Sequence, residues 1–138
     1  MRTNANLTVY NKYVDPSTRS EKYQRSTVVG VAWENRKASN TLATGGSIAA
    51  DQARVFIPMQ RGANYLKSKA WQALTTKTGK WTLQVDDVIV KGLVSDEIGT
   101  GFTISALRAK YDDVLIISSV DTMDSGSASM QHWMIGAK

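Results

Sequence analysis

Three acidic doublets, Asp86-Asp87, Asp96-Glu97 and Asp112-Asp113, are the residues whose type and spacing first suggest chemistry. Paired carboxylates can divide general acid and base roles or hold a divalent cation. Their adjacency works against both uses, because consecutive strand residues point to opposite faces and reach one atom only where a turn folds them together. Each doublet flanks an apolar run and reads as a solvated corner; in GKWTLQVDDVIVKG (79–92) the pair Asp86 and Asp87 is expected to face solvent or a basic neighbour. His132 is the only histidine and cysteine is absent, which excludes disulfides, thiolate zinc sites, iron–sulfur clusters and cysteine nucleophiles. Ser and Asp are plentiful enough for a hydrolytic triad, but no G-x-S-x-G turn presents a nucleophile. TTKTGKW (75–81) fails as a phosphate loop, since Leu74 stands where the first glycine belongs and Trp81 follows Lys80. GTGF (99–102) lacks a third spaced glycine and a long following helix, and reads as a turn. The expectation is a chain with no catalytic residue, no metal and no cofactor.

The elements that would position these residues are mostly short strands. LTVYNKY (7–13) enters an Asp-Pro turn, STVVGVAW (26–33) is rich in β-branched residues, and ARVFIPMQ (53–60) carries Pro58 where a strand meets an edge or a bulge. GKWTLQV (79–85), DVIVKGLV (87–94) and VLIISSVDTMD (114–124) are further strands, and Ser125-Gly126 marks a hairpin leading to SASMQHWMI. Two short helices are expected, one at 68–75 capped by Ser68 and one around 104–110. ENRKASNTLATGGSIAADQAR, from Glu34 to Arg54, has no sustained apolar period and reads as a long loop. The fold class is mainly β: one domain over 1–138, a small antiparallel barrel or sandwich with one or two short helices, the long loop at about 34–54, and Trp33, Trp81 and Trp133 as core anchors.

A chain of 138 residues, 42% hydrophobic and 21% charged, matches one ordinary globular domain with a single core. No apolar run approaches the roughly 20 residues of a spanning helix and no secretory signal opens the sequence, so cytoplasmic synthesis is the expectation. The net charge of +5 is uneven: residues 1–80 hold 13 Lys/Arg against 4 Asp/Glu, while 81–138 hold 4 against 8. Such bipolarity suits either an uneven surface or head-to-tail assembly, in which basic and acidic faces of neighbouring copies set orientation. Candidate inter-subunit charge contacts are Arg61, Lys67 and Lys69 on one side and Asp86, Asp87, Asp96 and Glu97 on the other. A competing reading is an OB-like barrel for single-stranded nucleic acid, with Tyr10, Tyr13, Tyr65 and Trp71 interleaved among basic residues as a stacking platform.

The segments YNKY, WE, IP, W-LQ-DD-IVKG and YDDVL-I-SVDTMD, in this order along nearly the whole chain, resemble the small head-completion or stopper proteins of tailed bacteriophages and prophages, in particular a group of uncharacterised prophage minor structural proteins. The resemblance implies a β-barrel subunit in a homo-oligomeric ring of about 6 or 12 copies. That ring would lie in the neck of the virion, between an adaptor or portal ring above and tail proteins below. It would extend and close the channel for packaged double-stranded DNA and offer a docking surface for the tail. In such proteins a long loop projects toward the channel, and the matching positions here include Glu34, Arg36, Lys37, Asn40, Thr44, Ser47, Asp51 and Arg54. Arg36 and Lys37 would then face DNA phosphates without reading sequence. The loop is longer than the family's and contains Gly45-Gly46. A tail-terminator protein is the neighbouring alternative, although it calls for a longer helix.

Overall fold

A computed structural model describes the backbone of residues 3–41, 47–99 and 101–138, and the side chains of these except at 35–41 and 47–52. The chain opens with β1 (Ala5–Val14) and β2 (Glu21–Thr41), which pair antiparallel from Ala5↔Val31 to Val14↔Glu21. The turn between them is fixed by Asp15, whose Oδ1 accepts from the Ser17 amide (2.9 Å) and hydroxyl (2.7 Å) and whose Oδ2 holds Lys22 Nζ at 2.6 Å. These donors, Lys22 foremost, hold the Asp15 carboxyl well below the usual carboxylate range.

β3 (Ser47–Pro58), β4 (Val88–Lys91), β5 (Val114–Met123) and β6 (His132–Ala137) complete the set, with α1 (Ser68–Gln72) and α2 (Ile104–Lys110) as the two short helices. Hydrogen bonding runs β1-β2-β3-β6-β5-β4 and back to β1, so the six antiparallel strands close on themselves, in keeping with the mainly β class expected as a small barrel or sandwich. Two strands make the closure by serving both halves. β2 pairs with β1 up to Val31 and with β3 from Ala32 onward. β5 pairs with β4 through Ile116 and with β6 from Ile117. The change of partner in β2 comes beside Gly30, at φ +88°, a backbone setting that L side chains rarely adopt.

The alternation along the strands sorts two apolar clusters. Leu7, Val9, Val31, Trp33, Val55, Ile57, Ile89, Ile117 and Ile135 fill the closed sheet with Trp81 and Trp133. All three expected tryptophan anchors are buried there. Val88 and Val90 point the other way, joining Tyr10, Val94 and Val114 beneath Leu107 of α2. β4 is therefore covered on both faces, which is why VIV lacks a polar position. α2 starts at Thr103, whose hydroxyl accepts from the Ala106 amide at 3.2 Å. Burial of Leu107 contributes about 2 kcal/mol to seating that helix.

Three expectations need correction. Glu34–Arg54 is not an irregular loop: β2 and β3 pair from Glu34↔Arg54 to Thr41↔Ser47, so backbone hydrogen bonds make a strand pair where no apolar pattern announced one. GKWTLQV is not a strand; only an isolated bridge, Tyr65↔Trp81, occurs before the turn at Val85-Asp86. Ser68 does not cap α1, since Lys67 holds that position and the Ser68 hydroxyl donates to Gln84 Oε1 at 2.9 Å.

Candidate functional site

Three regions could act on something else: the Glu34–Arg54 strand pair, the Asp86-Asp87 corner and the exposed cations after β3. The first is distinguished by what does not pair with it. Among the described residues β1 reaches β2 only to Val31, and β6 reaches β3 only from Ala53. From Arg36↔Gln52 to Thr41↔Ser47 the two strands bond only to each other, a ribbon extending roughly 20 Å beyond the barrel wall at about 3.4 Å per residue. Among the described residues neither outer edge of the ribbon is paired, and such an edge is a template for adding a strand from another chain. Its register sets Glu34 opposite Arg54 and Lys37 opposite Asp51 along the backbone. Thr44 lies outside the described residues, as do the side chains of Arg36, Lys37, Asn40, Ser47 and Asp51; Glu34 and Arg54, at the ribbon's foot, are exposed.

At the second region the doublet divides. Asp86, at φ +76°, is exposed, whereas Asp87 is 1% exposed and cannot meet a neighbouring subunit. The expectation that both acids face solvent is therefore wrong for Asp87. Asp87 accepts from Asn11 Nδ2 (2.7 Å), the Lys12 amide (3.0 Å) and Gln84 Nε2 (3.0 Å). Burial pushes its carboxyl above the usual range and outweighs these donors, which act in the opposite sense. Asn11 also donates to the Thr82 carbonyl (2.7 Å) and accepts from the Thr82 amide (3.1 Å). One side-chain amide thus does for Thr82 what a neighbouring strand's peptide would do. The signal for this knot was present: Leu7, Val9 and Asn11 share one strand face, so Asn11 is a polar residue on an apolar stripe.

The remaining charges sort differently from the expectation. Asp96 is engaged within the chain by Lys110 Nζ (2.9 Å) and the Tyr111 hydroxyl (2.5 Å), and these hydrogen bonds, Tyr111 foremost, lower its pKa. Glu97 bonds Arg25 Nε at 2.9 Å. Both carboxylates thus have partners within the chain, and the Glu97 side chain stays largely exposed. Arg61, Lys67 and Lys69 are exposed and make no ion pair among the described residues. His132 Nδ1 lies 2.9 Å from the Met130 carbonyl and its ring stands edge-on to Phe56, with no carboxylate orienting it among the described residues. No group of three or more metal-ligating side chains occurs among the described residues. The stacking platform is also dispersed: Tyr10 and Trp71 are fully buried, and Tyr65 packs against Trp81 and Trp133.

A family model described as a family of unknown function, DUF6751, matches residues 2–138. The chain belongs to that family. No curated protein and no solved structure matches it. What DUF6751 offers in this chain is a closed six-stranded sheet with one strand pair standing out of it, and no helix among the described residues is long and apolar enough to cross a membrane.

Proposed function

We propose that this chain is a non-enzymatic structural subunit of a phage head–tail connector, a stopper or head-completion protein that forms a ring below the portal, closes the DNA channel and receives the tail. The observation that carries the reading is the ribbon, a strand pair with two open edges on a barrel whose own edges are closed. A subunit built to join others needs an extension free of its own core, and the ribbon's backbone is available for pairing with a neighbouring chain or for lining a channel. The order of segments along the chain supports the same reading. The single-stranded nucleic-acid barrel is disfavoured because Tyr10 and Trp71 are not presented to a base.

The test is assembly. Purified subunit added to a portal–adaptor complex should form a ring visible by electron microscopy, and replacing 36–52 by a two-residue turn should leave the subunit folded while abolishing DNA retention or tail joining. Fully infectious particles carrying the shortened ribbon would overturn the ribbon's role. Failure to join any portal–adaptor complex, together with tight monomeric binding of single-stranded oligonucleotides, would overturn the connector reading.

A further inference from the structure

The barrel surface carries a second feature, separate from the ribbon. Between the first half of β2 and the loops after β3 lies a concavity of about 320 Å³, lined by Arg25, Ser26, Thr27, Arg61, Asn64 and Trp81 with the backbone of Gly79. Every polar side chain on its wall can donate a hydrogen bond, and none is a carboxylate. Arg61 is set in place by Gly30: its Nε and Nη2 lie 3.0 Å from where a β-carbon would stand, so the guanidinium rests on bare strand backbone. It makes no hydrogen bond or ion pair among the described residues. Arg25 is half-neutralised by Glu97 (2.9 Å) and bonds the Val94 carbonyl through Nη1 (3.0 Å), leaving Nη2 without a partner among those residues. The surrounding chain has a matching bias. From Val55 to Val85 there is no acidic residue, while Arg61, Lys67, Lys69, Lys77 and Lys80 are all basic.

We infer that this concavity is a phosphodiester-binding site that takes one backbone phosphate of double-stranded DNA. A planar guanidinium with hydroxyl and amide donors around it suits a phosphate oxygen set. The acid-free stretch of chain from Val55 to Val85, which supplies Arg61, Asn64 and Trp81 to the wall, suits a polymer of repeating negative charge better than an isolated small anion. The bases have no part in it: Trp81 is 4% exposed and Trp71 fully buried, so no aromatic face is offered for stacking. Duplex should therefore bind at least as well as single strand, weakly and without sequence preference. The inference rests on this pocket alone and stands or falls apart from the connector reading.

Fluorescence anisotropy of a short labelled duplex, titrated with the full chain across a salt series, tests it. Wild type should bind at low salt with log affinity falling linearly in log salt. Arg61→Gln should weaken binding about tenfold at low salt and reduce the salt slope by about 1, the signature of one lost phosphate contact. Arg108→Gln, which removes an exposed cation on α2 outside the pocket, should change affinity less than about twofold. Thr27→Glu, placing a carboxylate on the exposed wall, should abolish binding and provides a second route if Arg61→Gln fails to fold. Absence of duplex binding by wild type, equal losses in Arg61→Gln and Arg108→Gln, or tighter binding of single strand than duplex would each overturn the site.

Discussion

The crossover from Lys80 to Asp87 and the ribbon from Glu34 to Arg54 satisfy their backbones by opposite means. In the crossover Trp81, Thr82 and Leu83 are buried, yet the segment is not in a ladder, and Thr82 finds its partners on the side chain of Asn11. The ribbon is laddered rung by rung through backbone pairing. The crossover has core without a ladder, while the ribbon has a ladder that no third strand extends among the described residues. Burial and strand pairing are thus separable, and stability should follow burial.

The comparison can be broken by experiment, beginning with the largest expected effect. Trp81→Ala removes a ring packed at 5.2 Å from Tyr65 and 5.9 Å from Trp133, centroid to centroid. It should cost about 3–5 kcal/mol in urea unfolding. A loss below about 1 kcal/mol would mark the crossover as peripheral. Asn11→Ala, which strands both backbone groups of Thr82 and removes one donor to Asp87, should cost about 2–4 kcal/mol. Equality with an exposed-site alanine substitution would show that water replaces the amide there.

The third effect is one of sign. With the Asp87 pKa raised by burial, the folded chain keeps a proton that the unfolded chain releases, so this group's contribution is full below the ordinary carboxylate range and falls as pH rises through the raised value. Relative to Asp87→Asn, wild-type stability should decline between acidic and neutral pH; an advantage that grows with pH would mean the knot holds an anion. The smallest effect belongs to the ribbon. Replacing 36–52 by Asn-Gly should shift unfolding free energy by less than about 1 kcal/mol, because shortening an excursion changes mainly loop entropy. A loss of several kcal/mol would mean the ribbon has a core of its own.

These two regions also show what was legible in the sequence. The period-two apolar pattern pointed to a mainly β fold with the tryptophans in its core, because burial leaves a mark on residue type. In GKWTLQV the same mark was present without pairing, since alternation reports which side chains are covered and not what the peptides bond to. In ENRKASN pairing occurs without the mark: the backbone ladder from Glu34 to Thr41 forms on residues that show no apolar alternation. The doublets divided for a related reason: Asp87 is drawn inward by Asn11, more than seventy positions away in the chain, a partnership no local reading contains. Asp96 and Glu97, candidate contacts for a neighbouring copy, also bond within the chain, to Lys110 and Arg25, and the second of these partnerships spans 72 positions.

β2 is one uninterrupted strand from Glu21 to Thr41, ladder partner of β1 at one end and half of the ribbon at the other. Because strand hydrogen bonds lie across the chain direction, tension applied at the ribbon's tip and directed along β2 loads the β1 rungs in shear, together, instead of peeling them singly. A subunit made this way would transmit a pull on its arm into the wall of the barrel, and its mechanical yield would be set by β1 rather than by the arm itself.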